Sequence, residues 1–213
     1  MNSAAHSPRL RRGATTLLAA LALAITPAAA ASAFPGADSL DPVVPGPLPS
    51  VPSLDVERYA GTWLQVAAVP QLFSLDCARD TRATYGIIGE GQVSVNNECT
   101  TWTGDTNTIE GVATVTDANT NASLQVAFPS VPFQLPEGLP NYVVTFIDDD
   151  YSLAIVGDPA RSSGFVLSRT PDLSDQQWRN VRDIVASRGW NPCFFLTTPA
   201  AGGKNVIQPL CTV

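Results

Sequence analysis

Thr108-Ile109-Glu110-Gly111-Val112-Ala113-Thr114-Val115 and, after a short break, Ser123-Leu124-Gln125-Val126-Ala127-Phe128 decide the fold class of the chain. In the first stretch Ile109, Gly111, Ala113 and Val115 share one side of an extended backbone. Glu110, Thr114 and Thr116 mostly take the other. In the second, Leu124, Val126 and Phe128 alternate with Ser123, Gln125 and Ala127. A period of two with one dry face is the pattern of a β-strand that covers a core on one side only.

The same grammar extends in both directions. Upstream, Arg82–Ile88 and Gln92–Asn97 read as strands joined by the hairpin signal Gly89-Glu90-Gly91, and Trp63–Ala68 reads as a first strand ended by Pro70. Downstream come Tyr142–Ile147, Ser152–Val156 and Phe165–Ser168. They are separated by the turns Asp148-Asp149-Asp150 and Gly157-Asp158-Pro159. Eight short strands with mostly hairpin-sized connections predict an all-β fold, an antiparallel up-and-down barrel with room inside for one small ligand. A helix follows. Asp172 and Ser174 are its N-cap candidates, Trp178, Val181, Ile184 and Val185 recur at helical spacing, and Arg188-Gly189 marks its end. It is expected to pack on the outside of the barrel. Phe194-Phe195-Leu196 then reads as a short ninth strand, before a glycine-rich tail.

The N-terminus reads as an export signal. Arg9, Arg11 and Arg12 precede the apolar run Ala14–Ile25, and small-residue cleavage patterns end at Ala31 and Ala33. The run is too short to span a bilayer, which takes about 20 residues. Residues 34–53 carry Pro35, Pro42, Pro45, Pro47, Pro49 and Pro52 and read as an extended linker or a loop lying on the domain surface. The expected organisation is therefore a signal peptide at 1–33, a proline-rich linker at 34–53, a barrel domain at 54–198 and a tail at 199–213. The product is expected in the extracellular space or cell envelope, as a monomer without a transmembrane anchor. No cysteine lies near the cleavage region, so lipid acylation is not expected there.

Composition excludes several chemistries. With 45% hydrophobic and 15% charged residues the chain is globular rather than disordered. Its formal charge is -7; removing three of the 12 basic residues with the signal leaves 9 against 19 acidic ones, or -10. Such a surface repels phosphate backbones, so no nucleic-acid partner is expected. The single histidine, His6, leaves with the signal. That removes Ser-His-Asp catalysis and His-ligated zinc or haem. Four cysteines remain, Cys77, Cys99, Cys193 and Cys211, with no CxxC spacing; an even count in an exported chain points to two disulfides, not a metal site. No cofactor or metal is implied.

Arg58-Tyr59-Ala60-Gly61-Thr62-Trp63 resembles the Gly-x-Trp signature that opens the first strand of lipocalins. Ala83-Thr84-Tyr85 resembles the second-strand segment of the bacterial and apolipoprotein-D-like members. Asp148-Asp149-Asp150-Tyr151 is similar to the family's second signature, and Leu167-Ser168-Arg169-Thr170-Pro171 to its third. The resemblance covers roughly Leu54 to Thr198 and gives Gly61, Trp63, Asp148, Tyr151 and Arg169 structural roles. It implies that Trp63 closes the narrow end of the barrel and that Arg169 stacks across it, a cation–π contact. For the disulfides, a hairpin centred on residue 90 sets Cys99 opposite residue 81, near Cys77. This favours Cys77–Cys99, with Cys193–Cys211 pinning the tail. The pairing of some animal relatives implies Cys77–Cys211 and Cys99–Cys193 instead.

The expected function is that of a carrier for a small hydrophobic molecule, such as a fatty acid or lysophospholipid, and not of an enzyme. On the pleat rule the ligand-lining set is Tyr85, Val93, Val95, Ile109, Leu124, Val126, Phe128, Val143 and Phe165. It contains no lysine or arginine and no paired carboxylates. A ten-carbon chain buried there gains roughly 8 kcal/mol before the costs of association, enough for micromolar affinity at best. Two alternatives stand beside it. One is an envelope-interaction module using Trp102 and the proline-stiffened Phe128–Pro140 segment; the other is a lipocalin-type enzyme acting on a lipid or isoprenoid.

Overall fold

A computed structural model describes residues 46–213. The export signal at 1–33 and the first part of the linker, 34–45, lie outside the described residues. Eight antiparallel strands form the wall: β1 (Gly61–Ala68), β2 (Cys77–Gly89), β3 (Gln92–Thr101), β4 (Thr106–Val115), β5 (Ser123–Ala127), β6 (Tyr142–Ile147), β7 (Leu153–Gly157) and β8 (Gly164–Ser168). Each pairs with its neighbours in sequence. The sheet closes because β1 pairs with β2 through Gly61–Leu64 and with β8 through Leu64–Ala68. β9 (Leu196–Thr197) adds to β1 at Ala67 and Ala68.

β2 and β3 run further than their apolar alternation indicates. Polar cross-strand pairs carry the ladder on: Arg82 faces Glu98 and forms an ion pair with it, and Cys77 faces Thr101. The register Ala83↔Asn97 and Tyr85↔Val95 is the one centred on residue 90. It holds as far as Arg82↔Glu98 and then shifts. Cys77 is bonded to Cys99 across this shifted segment, with a Cα separation of 5.5 Å. Cys193 is bonded to Cys211, at 4.9 Å.

α2 (Asp175–Ser187) lies outside the barrel. Ser174 caps it by accepting from the Gln177 N–H, while Gln177 Oε1 accepts from the Ser174 N–H at 2.9 Å. Trp178, Val181 and Val185 form one buried cluster with Val66, Ile155 and Val166 of the wall, with Phe195 just before β9 and with Leu210 of the tail. Each such side chain contributes about 1.5–3 kcal/mol by leaving water. A separate buried cluster lines the barrel interior.

The later part of the linker is not a tether. Leu48 and Val51 are buried, and the N–H groups of Leu48, Val51 and Leu54 donate to the carbonyls of Pro159, Val144 and Thr120 at 2.9, 2.9 and 2.7 Å. Pro49 and Pro52 fall between these donors and Pro47 just before the first, where a missing N–H costs nothing. β5 and β6 share only two paired positions, Ser123↔Val143 and Leu124↔Tyr142. This strap joins the wall beside that weak seam. The proline content hid this, since alternate apolar residues inside a proline run look like tether composition.

Candidate ligand site in the barrel interior

Antiparallel connection places the loops alternately at two ends. The 90–91, 116–122 and 148–152 turns lie at the end where a helical turn, α1 (Val56–Tyr59), enters β1. This end is sealed. Trp63 has no solvent exposure, and its indole N–H donates to the Tyr59 carbonyl at 2.8 Å. The Arg169 guanidinium lies 3.8 Å from the centre of the Trp63 ring. Its Nη1 donates to the Thr62 carbonyl at 2.7 Å, and its Nη2 reaches the carbonyls of Ala60, Arg58 and Tyr59 at 2.8–3.2 Å. Those of Arg58, Tyr59 and Ala60 are carbonyls that a helical turn leaves without intrahelical partners at its C-terminal end, while Thr62 lies in β1. One arginine therefore caps α1 and covers the tryptophan together. Gly61 has a φ of +91°, and a Cβ there would lie 3.4 Å from Arg169 Nη1. Around this plug the Arg58 guanidinium stacks 4.1 Å from the Tyr151 ring centre, and the Tyr151 hydroxyl accepts from the Asp55 N–H at 2.9 Å. Asp148 accepts from the Leu153 N–H at 2.9 Å and holds Ser152, fixing the β6–β7 turn.

Inside the plug lie three tyrosines. The Tyr59 hydroxyl is 2.7 Å from that of Tyr142, and the Tyr85 hydroxyl is 3.1 Å from the same oxygen. The Tyr59 ring sits 5.1 Å from Trp63 and stacks on Tyr85 at 5.6 Å. Burial pushes the Tyr85 hydroxyl up to about 12, against the partial opposition of the Tyr142 hydrogen bond and the Arg169 charge. Burial likewise raises Tyr59 and Tyr142 well above the ordinary phenol value; Tyr85 adds to the rise at Tyr59 against the Tyr142 hydrogen bond and the Arg169 charge, and both neighbouring tyrosines add to it at Tyr142. All three are therefore neutral hydroxyls at physiological pH.

Of the expected lining set, Tyr85, Val93, Val95 and Leu124 belong to the buried interior cluster, with Val126, Phe128 and Phe165 packed against it. Ile109 is part-buried and faces Asn97 across β3–β4, in line with the inward row Trp63, Ala83 and Asn97. Val143 departs from the expectation. It belongs to the outer cluster with α2 and faces Gly157, while its neighbours Tyr142 and Val144 point inward. The run Tyr142-Val143-Val144 is apolar at every position, so alternation cannot set its phase. Val143 instead lines an external groove of about 560 Å³ between the strap and the 135–141 segment, with Leu48, Leu135, Leu139 and Pro159. The sequence reading also missed Tyr59 and Tyr142. Tyr59 sits in a helical turn outside any strand pattern. Asn97 was missed as well; the pleat puts it on the inward face, and its Oδ1 is buried without a partner among the described residues.

The opposite end is a rim. It consists of the 69–76, 102–105, 128–141 and 158–163 connections. Leu72 is 89% exposed and Phe133 fully so; Phe73, Leu75, Trp102, Leu135 and Leu139 are also exposed. The Trp102 indole N–H donates to the Leu75 carbonyl at 2.8 Å and ties two of these loops together. In the first three loops the charged residues are Asp76, Asp105 and Glu137, all acidic.

A closed eight-stranded barrel, sealed at one end, apolar within and followed by one external helix, defines the calyx class of small-ligand binders. The sequence profile of the lipocalin-like domain matches residues 54–200, and the chain belongs to the lipocalin family. It is 36% identical over 154 residues to temperature-induced lipocalin-1 of Arabidopsis thaliana, covering 70% of this chain and 81% of that one. It is 31% identical over 176 residues to the outer membrane lipoprotein Blc of Escherichia coli K12, covering 82% and 96%. Among solved structures it resembles insecticyanin of the tobacco hornworm Manduca sexta, with a TM-score of 0.55 at 18% identity over 78% of this chain and 96% of that one. That likeness concerns the fold.

Proposed function

We propose that the protein is an exported carrier that holds one small hydrophobic molecule, a fatty acid, lysophospholipid or similar lipid, inside the barrel. The observation that carries this reading is the largely apolar inner face, from Val93 and Val95 round to Val156 and Leu167, closed by the Trp63–Arg169 plug. Two disulfides fit an oxidising compartment. Among the described residues no helix is long and apolar enough to cross a membrane. The relative named an outer membrane lipoprotein supports an envelope or extracellular setting. We assign the protein no catalytic step and expect it to act as a monomer.

Native mass spectrometry of the purified mature protein, followed by denaturing extraction and lipid analysis, tests this. A bound lipid of defined mass is the expected result. An empty protein that also ignores fatty acids, lysophospholipids and isoprenoids would overturn it. The exposed rim of Leu72, Phe73, Trp102 and Phe133 favours a second reading, in which these loops also contact the envelope. A pull-down from envelope extract that no longer depends on Trp102 would remove that reading.

A further inference from the structure

The three tyrosines at the closed end pose a question of proton count. Three hydroxyls carry three protons, and the cluster has two contacts, Tyr59–Tyr142 and Tyr85–Tyr142. However the protons are arranged, two donors are used and one O–H is left without an acceptor among the described residues. An unpaired donor in an apolar interior is costly, so a partner is expected there. The surroundings say what kind. Arg169 forms no ion pair among the described residues; its donors go to backbone carbonyls, and its charge sits behind Trp63, whose ring touches Tyr59. A positive charge without a counter-ion favours an electron-rich oxygen over a donor group.

Taking the barrel interior as the ligand site, as proposed above, we infer that its closed end takes the carbonyl or carboxyl oxygen of an amphiphile. The ligand enters head first, its oxygen accepts a hydrogen bond from the free O–H of the Tyr59–Tyr142–Tyr85 cluster, and its apolar tail lies along Val126, Phe128 and Phe165 toward the rim. The shared chemistry is an oxygen acceptor on a chain. A fatty acid and a neutral ester both supply it.

Three fluorescent probes separate the possibilities: 11-(dansylamino)undecanoic acid, its methyl ester and N-undecyl dansylamide. All carry the same dye and chain, and only the first two have a carbonyl at the far end. The acid and ester are expected to bind roughly 3- to 10-fold more tightly than the alkyl amide, the worth of one hydrogen bond. The carbonyl stretch of bound ester, labelled with carbon-13, is expected to move to lower wavenumber, which needs no variant. In Y59F/Y85F/Y142F the advantage should vanish while the alkyl amide still binds. Equal binding of all three probes with an unshifted band would overturn the head-first orientation and leave the carrier reading standing. If no probe binds, the carrier reading falls and this inference falls with it. A tighter acid than ester, with the ester still ahead of the amide, supports the inference and names the carboxylate as the preferred form.

Discussion

At one end of the barrel Trp63 is wholly buried, and one guanidinium satisfies the carbonyls around it. At the other, Leu72 and Phe133 stand almost free of the protein. The difference is one of what each end is for. A plug in which a single arginine caps α1, covers an indole and reaches Thr62 cannot be changed without unpairing something buried. A rim of exposed apolar side chains on loops has little to lose. Structural specification is concentrated at the closed end, and the freedom to exchange ligand or meet a surface is concentrated at the open one.

The strongest way to break this comparison is to remove the plug. Trp63→Ala is expected to cost about 3–5 kcal/mol, from the buried ring and the cavity it leaves. The urea midpoint should fall accordingly. A loss below about 1 kcal/mol would show that the closed end is not where stability resides.

The closed end should also announce itself at high pH. The Tyr85 hydroxyl is raised in the folded state from 10.0 to about 12. Its contribution is therefore present in full below pH 10 and is lost as pH climbs from 10 through 12, because the unfolded chain releases that proton first. The rise corresponds to roughly 3 kcal/mol at most. Phenolate absorbance and circular dichroism followed together should show the clustered tyrosines ionising only as the fold is lost. Early, reversible ionisation of all tyrosines without unfolding would show that the cluster is open to water.

The wall between the two ends is expected to respond less. A Cβ on Gly111 would lie 2.5 Å from the Ala127 carbonyl and 2.7 Å from the Phe128 ring, so Gly111→Ala must push strand β5 aside. A cost of about 1–3 kcal/mol is expected in the same denaturation experiment. Full stability would show that the β4–β5 seam has slack.

These predictions also trace what the sequence made legible. Alternation in β4 and β5 announced the barrel because one face is dry and the other wet. Trp63 and Arg169 were legible through resemblance, since nothing in periodicity brings residues 63 and 169 together. Val143 was misplaced because three successive apolar residues carry no phase. The strap was left open between a tether and a surface loop because its prolines mask Leu48 and Val51. The tyrosine cluster is assembled from α1, β2 and β6, and only Tyr85 lay in a strand whose phase could be read. Local pattern gives the face of a residue, not its partner across a barrel.

The smallest effect on stability is expected at the rim. Leu72→Ser and Phe133→Ser alter side chains that bury almost nothing, so each should change stability by no more than about 0.5 kcal/mol. If the rim serves exchange, the pair should still slow transfer of bound 11-(dansylamino)undecanoic acid to neutral phosphatidylcholine vesicles several-fold, because the apolar residues that would meet the bilayer surface are gone. Neutral vesicles are the apt acceptor, since the charged residues of the three apolar loops are all acidic and an anionic surface would repel them. Equal transfer rates in the double variant and the parent would mean that the exposed side chains are idle, and that the contrast between the two ends is one of stability alone. A large loss of stability would mean the opposite error: that these loops pack more than their exposure indicates, and that the open end is specified as tightly as the closed one.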